Sequence, residues 1–367
     1  MCNQIITRKH TIALIFTFLL GSSLVMRVGG SAGRDAWLAI LIGMVMTLPM
    51  LIVYSRILSL FPGKGLYEII FTSLGRFFGG VLVFLYVLYS FHLGTLVMCD
   101  FSDFVKIVGL YETPKFVTAL FLGLLCIWAV KAGIEVIARW TAITMPIMVS
   151  VILLITLLLI PKFNFDNLRP VLYNGMQPVL EAAFSVFSFP FAESVVCLAI
   201  FSYVKSGSKP LTIFMWSILA GTLILLVTTV RSLLVLGEEF VKLNFFASYA
   251  SARLIKIGDF LERIEVLVAI VILIGGFVKI SICLLTAAKG IADLANIRDY
   301  GQFAAPLGIL MALYSVVLFE STVEIFIWSE KVYQYYALPF QVLFPLIIWI
   351  AAEIKAKKMI QGKAKRR

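Results

Sequence analysis

Glu193 and Lys279 are the residues of this 367-residue chain whose chemistry packing explains least, because each lies inside a long apolar run. At the centre of a bilayer a charged side chain costs roughly 2.5–3.5 kcal/mol on insertion scales, and such residues usually face a partner or a water-filled cavity. Glu193 follows Pro190 by three positions in Ser188-Phe189-Pro190-Phe191-Ala192-Glu193-Ser194. Each of the two lies about 15 residues into its own run, roughly 22 Å deep at 1.5 Å per residue. Equal depth permits an ion pair; snorkelling of Lys279 to the cytoplasmic face is the alternative. Arg231, near the end of another run, is read as snorkelling, and Asp100 and Asp103 as solvated charges at a span end. No nucleotide-binding loop, zinc-binding histidine pair or serine nucleophile elbow is present. Histidine occurs only as His10 and His92, and the five cysteines have no metal or redox spacing. Neither an enzyme nor a cofactor or metal is expected.

The elements that position these charges follow from composition. The chain is 61% hydrophobic and 14% charged, with mean hydropathy +1.03. Soluble domains are about half apolar and a quarter charged. The lipid bilayer is therefore the expected surroundings, and the net charge of +11 reads as membrane topology rather than nucleic-acid binding. A spanning helix takes about 20 apolar residues, and continuous rather than alternating runs argue against a barrel. Ten spans are predicted, at roughly 11–28, 36–58, 80–105, 116–130, 140–160, 178–203, 211–236, 264–287, 304–319 and 336–354. They form one transmembrane domain over 1–367, with repeats at about 11–160 and 178–354 and a basic tail at 355–367. Lys and Arg are balanced between the two sides until the tail is counted. The tail then places both termini in the cytoplasm.

Two spans carry small or helix-breaking residues in their middle. Gly21-Ser22-Ser23 interrupts the first and Ser188 to Ser194 the sixth, one opening each five-span half. Such pairing points to a transporter fold of two inverted repeats with broken helices 1 and 6. Backbone groups freed at a break need partners inside protein or water, and half-helix ends can hold a ligand. Tyr89 in the third span is a candidate pocket residue, with helix packing as the alternative. The segment 237–263 has Val241, Phe245, Phe246 and Tyr249 on one helical face and is read as a short amphipathic helix or two, with a plain interfacial loop as the alternative.

Several segments carry a family likeness: Ala32-Gly33-Arg34-Asp35-Ala36-Trp37, Gly65-Leu66-Tyr67-Glu68-Ile69, Leu168-Arg169-Pro170-Val171-Leu172 with Gly175, the second break, and Gly258-Asp259-Phe260-Leu261-Glu262-Arg263-Ile264-Glu265. In this order they resemble the B subunits of spore germinant receptors, the endospore germination permease family. That family lies within the amino acid–polyamine–organocation transporter superfamily. The resemblance implies ten helices, a site between spans 1, 3, 6, 8 and 10, and a small nutrient germinant, often an amino acid. It also implies partner A and C subunits in the spore inner membrane. Carried over to this sequence, it adds the break residues to the candidates named above. The candidate ligand set is Gly21, Ser22, Ser23, Tyr89, Ser188, Phe189, Pro190, Phe191, Glu193 and Lys279. Nutrient sensing is the expected function. A proton-coupled amino-acid transporter, or a water or ion channel, is the alternative.

Overall fold

The computed structural model describes residues 4–255 and 263–364. Cys2, the loop residues Lys256, Asp259 and Glu262, the segment Gly258-Asp259-Phe260-Leu261-Glu262 and the last tail residues Lys365, Arg366 and Arg367 lie outside the described residues. Among the described residues the chain is helical, with one isolated backbone bridge between Ile6 and Val204.

The first half comprises α1 (Arg8–Ser23), α2 (Ala36–Leu60), α3 (Leu66–Leu74), α4 (Arg76–Val108), α5 (Lys115–Ala132) and α6 (Ile134–Leu159). Next come α7 (Gln177–Val186), a π turn Phe187–Phe191, a half-helix Ala192–Tyr203, α8 (Pro210–Leu243) and the short α9 (Ala247–Ala252). After these follow α10 (Glu265–Ala295), α11 (Gly301–Val317), α12 (Thr322–Lys331), α13 (Tyr333–Leu338) and α14 (Phe344–Ala364). Among the described residues eight helices are long and apolar enough to cross a membrane, or nine if α11 and α12, bent by 102°, count as one span. The expected tenth falls short because α1 stops after 16 residues, at Ser23.

α1 is apolar around its whole circumference and is accordingly buried from Ala13 to Ser23. It packs against α10, α8 and α6, while α10 also lies along α4. The outer helices present Phe77, Phe121, Trp128, Ile143 and Leu157 outward, a surface that suits lipid tails. Within the segment 237–263, the residues up to Leu243 and Ala247–Ala252 are helical. α8 breaks direction at Gly237 (φ 75°) but continues to Leu243, and α9 follows. Phe245 and Phe246 then pack on Phe326, and Phe246 and Tyr249 meet Phe104 edge-on.

Glycine lets helix backbones meet where lipid provides no hydrophobic drive for helix association. A Cβ on Gly21 would lie 2.9 Å from both the Gly275 carbonyl oxygen and Lys279 Cβ, so α1 and α10 touch along their main chains. On α2, a Cβ at Gly43 would lie 2.8 Å from Val186 side-chain carbons and 2.9 Å from the Ala183 carbonyl oxygen of α7. Gly43→Val is expected to destabilise the purified protein by about 1–3 kcal/mol through overpacking. Thermal unfolding in detergent measures this, with Gly80→Ala as the neutral control, since its Cβ meets only Leu294 Cδ2 at 3.8 Å.

Candidate functional site

The second break is local sequence chemistry. Proline has no N–H to give to Val186 and its ring would clash with that carbonyl, so the helix cannot run through Pro190. The residue before a proline is pushed towards extended backbone, and Phe189 is found at φ −130°, ψ 116°. Helix resumes at Ala192, which puts Glu193 in its first turn, where exposed N–H groups favour a carboxylate.

The first break lies slightly later than the sequence suggests. Regular helix persists through Gly21, Ser22 and Ser23, and turns follow up to Gly29 (φ 70°). Close packing of Gly21 on Gly275 keeps the helix intact at that point. The Val25 N–H, which a continued helix would direct to Gly21, bonds the Ser22 carbonyl instead at 3.1 Å, and Met26 N–H bonds the same oxygen at 2.8 Å.

Lys279 reaches from α10 into the gap between the two breaks. Its ammonium forms a salt bridge with Glu193 Oε2 and donates to Ser22 Oγ at 2.7 Å. Both charged side chains are 0% exposed. The ammonium also lies over the rings of Phe18 (5.3 Å) and Phe189 (4.9 Å), a favourable placement against the negative ring faces. The other Glu193 oxygen accepts from the Tyr333 hydroxyl at 2.5 Å. Tyr89 OH is 3.1 Å from Tyr333 OH and accepts from Gln341 Nε2 at 3.0 Å.

Gln341 repairs the second break. Its Nε2 donates to the Ser188 carbonyl at 2.8 Å, and its Oε1 accepts from Ser188 Oγ at 3.0 Å. It sits in a second π turn, Pro339–Leu343, between α13 and α14, and its own carbonyl accepts from Tyr54 OH at 2.5 Å. Every member of this chain of contacts is buried.

Beside the ion pair lies a cavity of about 30 Å³, lined in part by Ser22, Met26, Asp100, Phe189, Glu193 and Tyr333. That volume holds about two waters. Larger hollows of about 420 and 300 Å³ open between loop residues, one at Lys64 and Lys205 and the other at Asn244 and Arg253. Neither contains the buried charges.

Of the predicted site residues, Ser22, Phe189, Glu193 and Lys279 meet directly. Tyr89 joins through Tyr333, and Ser188 through Gln341. Gly21 makes the crossing with α10, and Pro190 makes the break. Ser23 turns back to the Leu19 carbonyl of its own helix at 2.6 Å, and Phe191 is buried without a polar atom to offer.

Of the two placements open to Lys279, the structure has the ion pair with Glu193. Two readings are corrected. Arg231 is 2% exposed and donates to Ser248 Oγ at 2.6 Å, because α9 folds back over it. Asp100 and Asp103 are each 6% exposed, since α4 continues to Val108, with α12 packed on it and Phe246 and Tyr249 against Phe104. Tyr333 and Gln341 were missed. Gln341 had a signal: it is the one amide in the apolar run 336–354, two residues after Pro339. Tyr333 precedes the run assigned to the tenth span and had none.

Comparison with known proteins bears on this arrangement. The family model described as "Spore germination protein" (Spore_permease) matches residues 5–323. Spore germination protein KB of Bacillus subtilis (strain 168) is 30% identical over 98% of this chain and 97% of its own. Among solved structures, MhsT in complex with L-phenylalanine superposes with TM-score 0.68 at 14% identity, covering 98% of this chain and 99% of that one. Mhp1, a nucleobase-cation-symport-1 family transporter in a closed conformation, gives TM-score 0.64 at 11% identity over 96% and 91%. The all-helical transporter fold with broken first and sixth helices is thus shared with these structures. On the match along 5–323 and the likeness to protein KB, this multi-pass membrane chain belongs to the spore germination protein (spore permease) family.

Proposed function

We propose that the chain is the transporter-like membrane subunit of a germinant receptor, in which a small nutrient such as an amino acid binds between the two broken helices. Family membership, the likeness to protein KB and the transporter fold support this reading. The observation that carries it is the Lys279 ammonium, which joins Ser22 at the end of α1 to Glu193 at the start of the second half-helix. In this proposal spans 1, 3, 6, 8 and 10 line the ligand. A and C subunits read out the change, in the spore inner membrane with both termini cytoplasmic.

The cavity argues for a conformational response. Ligand pockets run from about 300 to 1,000 Å³, against about 30 Å³ beside the ion pair. A nutrient therefore enters only if the bundle opens. It favours the open arrangement through its differential affinity for the two states. The elements best placed to move are α12 and α13, since Tyr333 lines the cavity and α12 meets α11 at a 102° bend.

Removing either charge should destabilise the protein by about 3–5 kcal/mol, because the other is left buried and unpaired. The double variant Glu193→Gln/Lys279→Met should cost less than the sum, by roughly 0.5–3 kcal/mol. Chemical unfolding of the purified protein measures the cycle. Simple additivity would reject the pair as the link between the half-helices.

Deleting the gene identifies which nutrients cease to trigger germination. Spores with Ser22→Trp, which fills the cavity, should lose the response to those nutrients while membrane protein levels hold. An unchanged concentration dependence rejects the site. With the labelled nutrient and the protein in liposomes, saturable binding without accumulation is expected of a sensor. Sustained accumulation would instead establish transport.

A further inference from the structure

Asp100 is the charge left over in the central cavity. It projects from α4, is 6% exposed, and its Oδ1 has no hydrogen-bond partner among the described residues. It lines the same hollow as Ser22, Glu193, Ser329 and Tyr333. Lys115 at the start of α5 is committed elsewhere: its Nζ sits 2.9 Å from Asp103 Oδ1 and 3.0 Å from Cys99 Sγ. Lys279 is committed to Glu193 and Ser22. Two carboxyl groups thus line the cavity: Glu193 is paired with Lys279, and Asp100 has no salt-bridge partner among the described residues. Burying such a group unpaired is unfavourable, and the cost falls when a positive group arrives.

We propose that Asp100 is the recognition group for a primary ammonium on the ligand, so that the site takes small amines, amino acids among them, rather than neutral sugars. This rests on reading the cavity as the ligand site. An ammonium presents three donors and no acceptor. Asp100, Ser22 and Ser329 provide acceptors, while both Glu193 oxygens are already occupied. The remaining lining includes Met26, Leu93, Leu96 and Val97, which suits an aliphatic body. A hard metal cation, which takes six or more oxygen ligands, would find too few.

The test uses full-length purified protein in nanodiscs and thermal unfolding. The probes are the standard L-amino acids, their N-acetyl derivatives, D-glucose and potassium chloride. At least one free amino acid should stabilise the wild type while its N-acetyl form does not. Asp100→Asn should weaken that binding by about tenfold or more, the size expected for a hydrogen bond to a charged group. Asp103→Asn should leave it within about twofold, well under the scale of such a bond. Without ligand, Asp100→Asn should be at least as stable as wild type, because it removes an unpaired buried charge. A purely structural Asp100 would give the opposite sign. Binding by the N-acetyl forms, by glucose or by potassium alone, or by nothing in the panel, overturns the amine assignment, and this comparison needs no variant to fold. Binding that survives Asp100→Asn but is abolished by Ser22→Trp sinks the amine assignment and leaves the cavity standing. Binding that survives both sinks the cavity as well.

Discussion

Two opposite charges with no exposed surface meet inside an apolar bundle, and most of the neighbouring structure follows from keeping them there. Withdrawing an ion from water into protein costs several kcal/mol even after relaxation, and Coulomb attraction offsets this only when the remaining hydrogen-bonding capacity is used. Lys279 therefore needs Ser22 and two ring faces besides Glu193, and Glu193 needs Tyr333. Each contact recruits a different element: α1, the second break, and the junction of α12 with α13. The lysine can stand there because Gly21 and Gly275 let α1 and α10 meet main chain to main chain. A larger residue at either glycine would hold the helices apart and leave the ammonium without its serine.

The same accounting governs the backbone. A helix interrupted inside a membrane leaves N–H and C=O groups that lipid cannot satisfy, so the interruption must be buried in protein. Gln341 takes up the carbonyl and the hydroxyl of Ser188 and passes the chain of bonds on to Tyr89 and Tyr333. The charged pair and the broken backbone are thus one network, running from Ser22 to Ser188 through two tyrosines and an amide. A disturbance at either end changes the hydrogen bonding of the other.

The sequence made the ionic part of this network legible, and the reason is energetic. A charge in an apolar run violates its surroundings so strongly that it announces a partner, and equal depth from helix rise is enough to nominate one. Proline in a span is similarly explicit, since its missing N–H has a fixed consequence. The second break fell where Pro190 put it. The first fell after Ser23 rather than at Gly21, because glycine and serine merely permit a break and the contact with Gly275 decides otherwise. Tyr333 and Asp100 were illegible for a different reason. Both lie at run ends, where polar residues are ordinary, and only tertiary packing buries them, Asp100 in the cavity it shares with Ser22 and Glu193 and Tyr333 against Glu193 and Tyr89. Arg231 was misread on the same ground.

So small a cavity next to a hydrogen-bonded ion pair also constrains how the fold can be used. In an open cleft a ligand could bind by filling space already there, and binding would leave the helices where they were. Here the hollow beside Glu193 is about 30 Å³, and the groups around it, Asp100 and Ser329 apart, are largely satisfied by one another. In the proposed function, entry of a nutrient enlarges the hollow and exchanges protein–protein hydrogen bonds for protein–ligand ones. The free energy of recognition is then tied to relative movement of the elements that share the network. A receptor subunit needs that tie, whereas a transporter needs in addition a second exit for the ligand. On the proposed reading, one arrangement of helices serves a sensor built on a transporter's plan, in which a ligand competes for the neighbours of the buried pair.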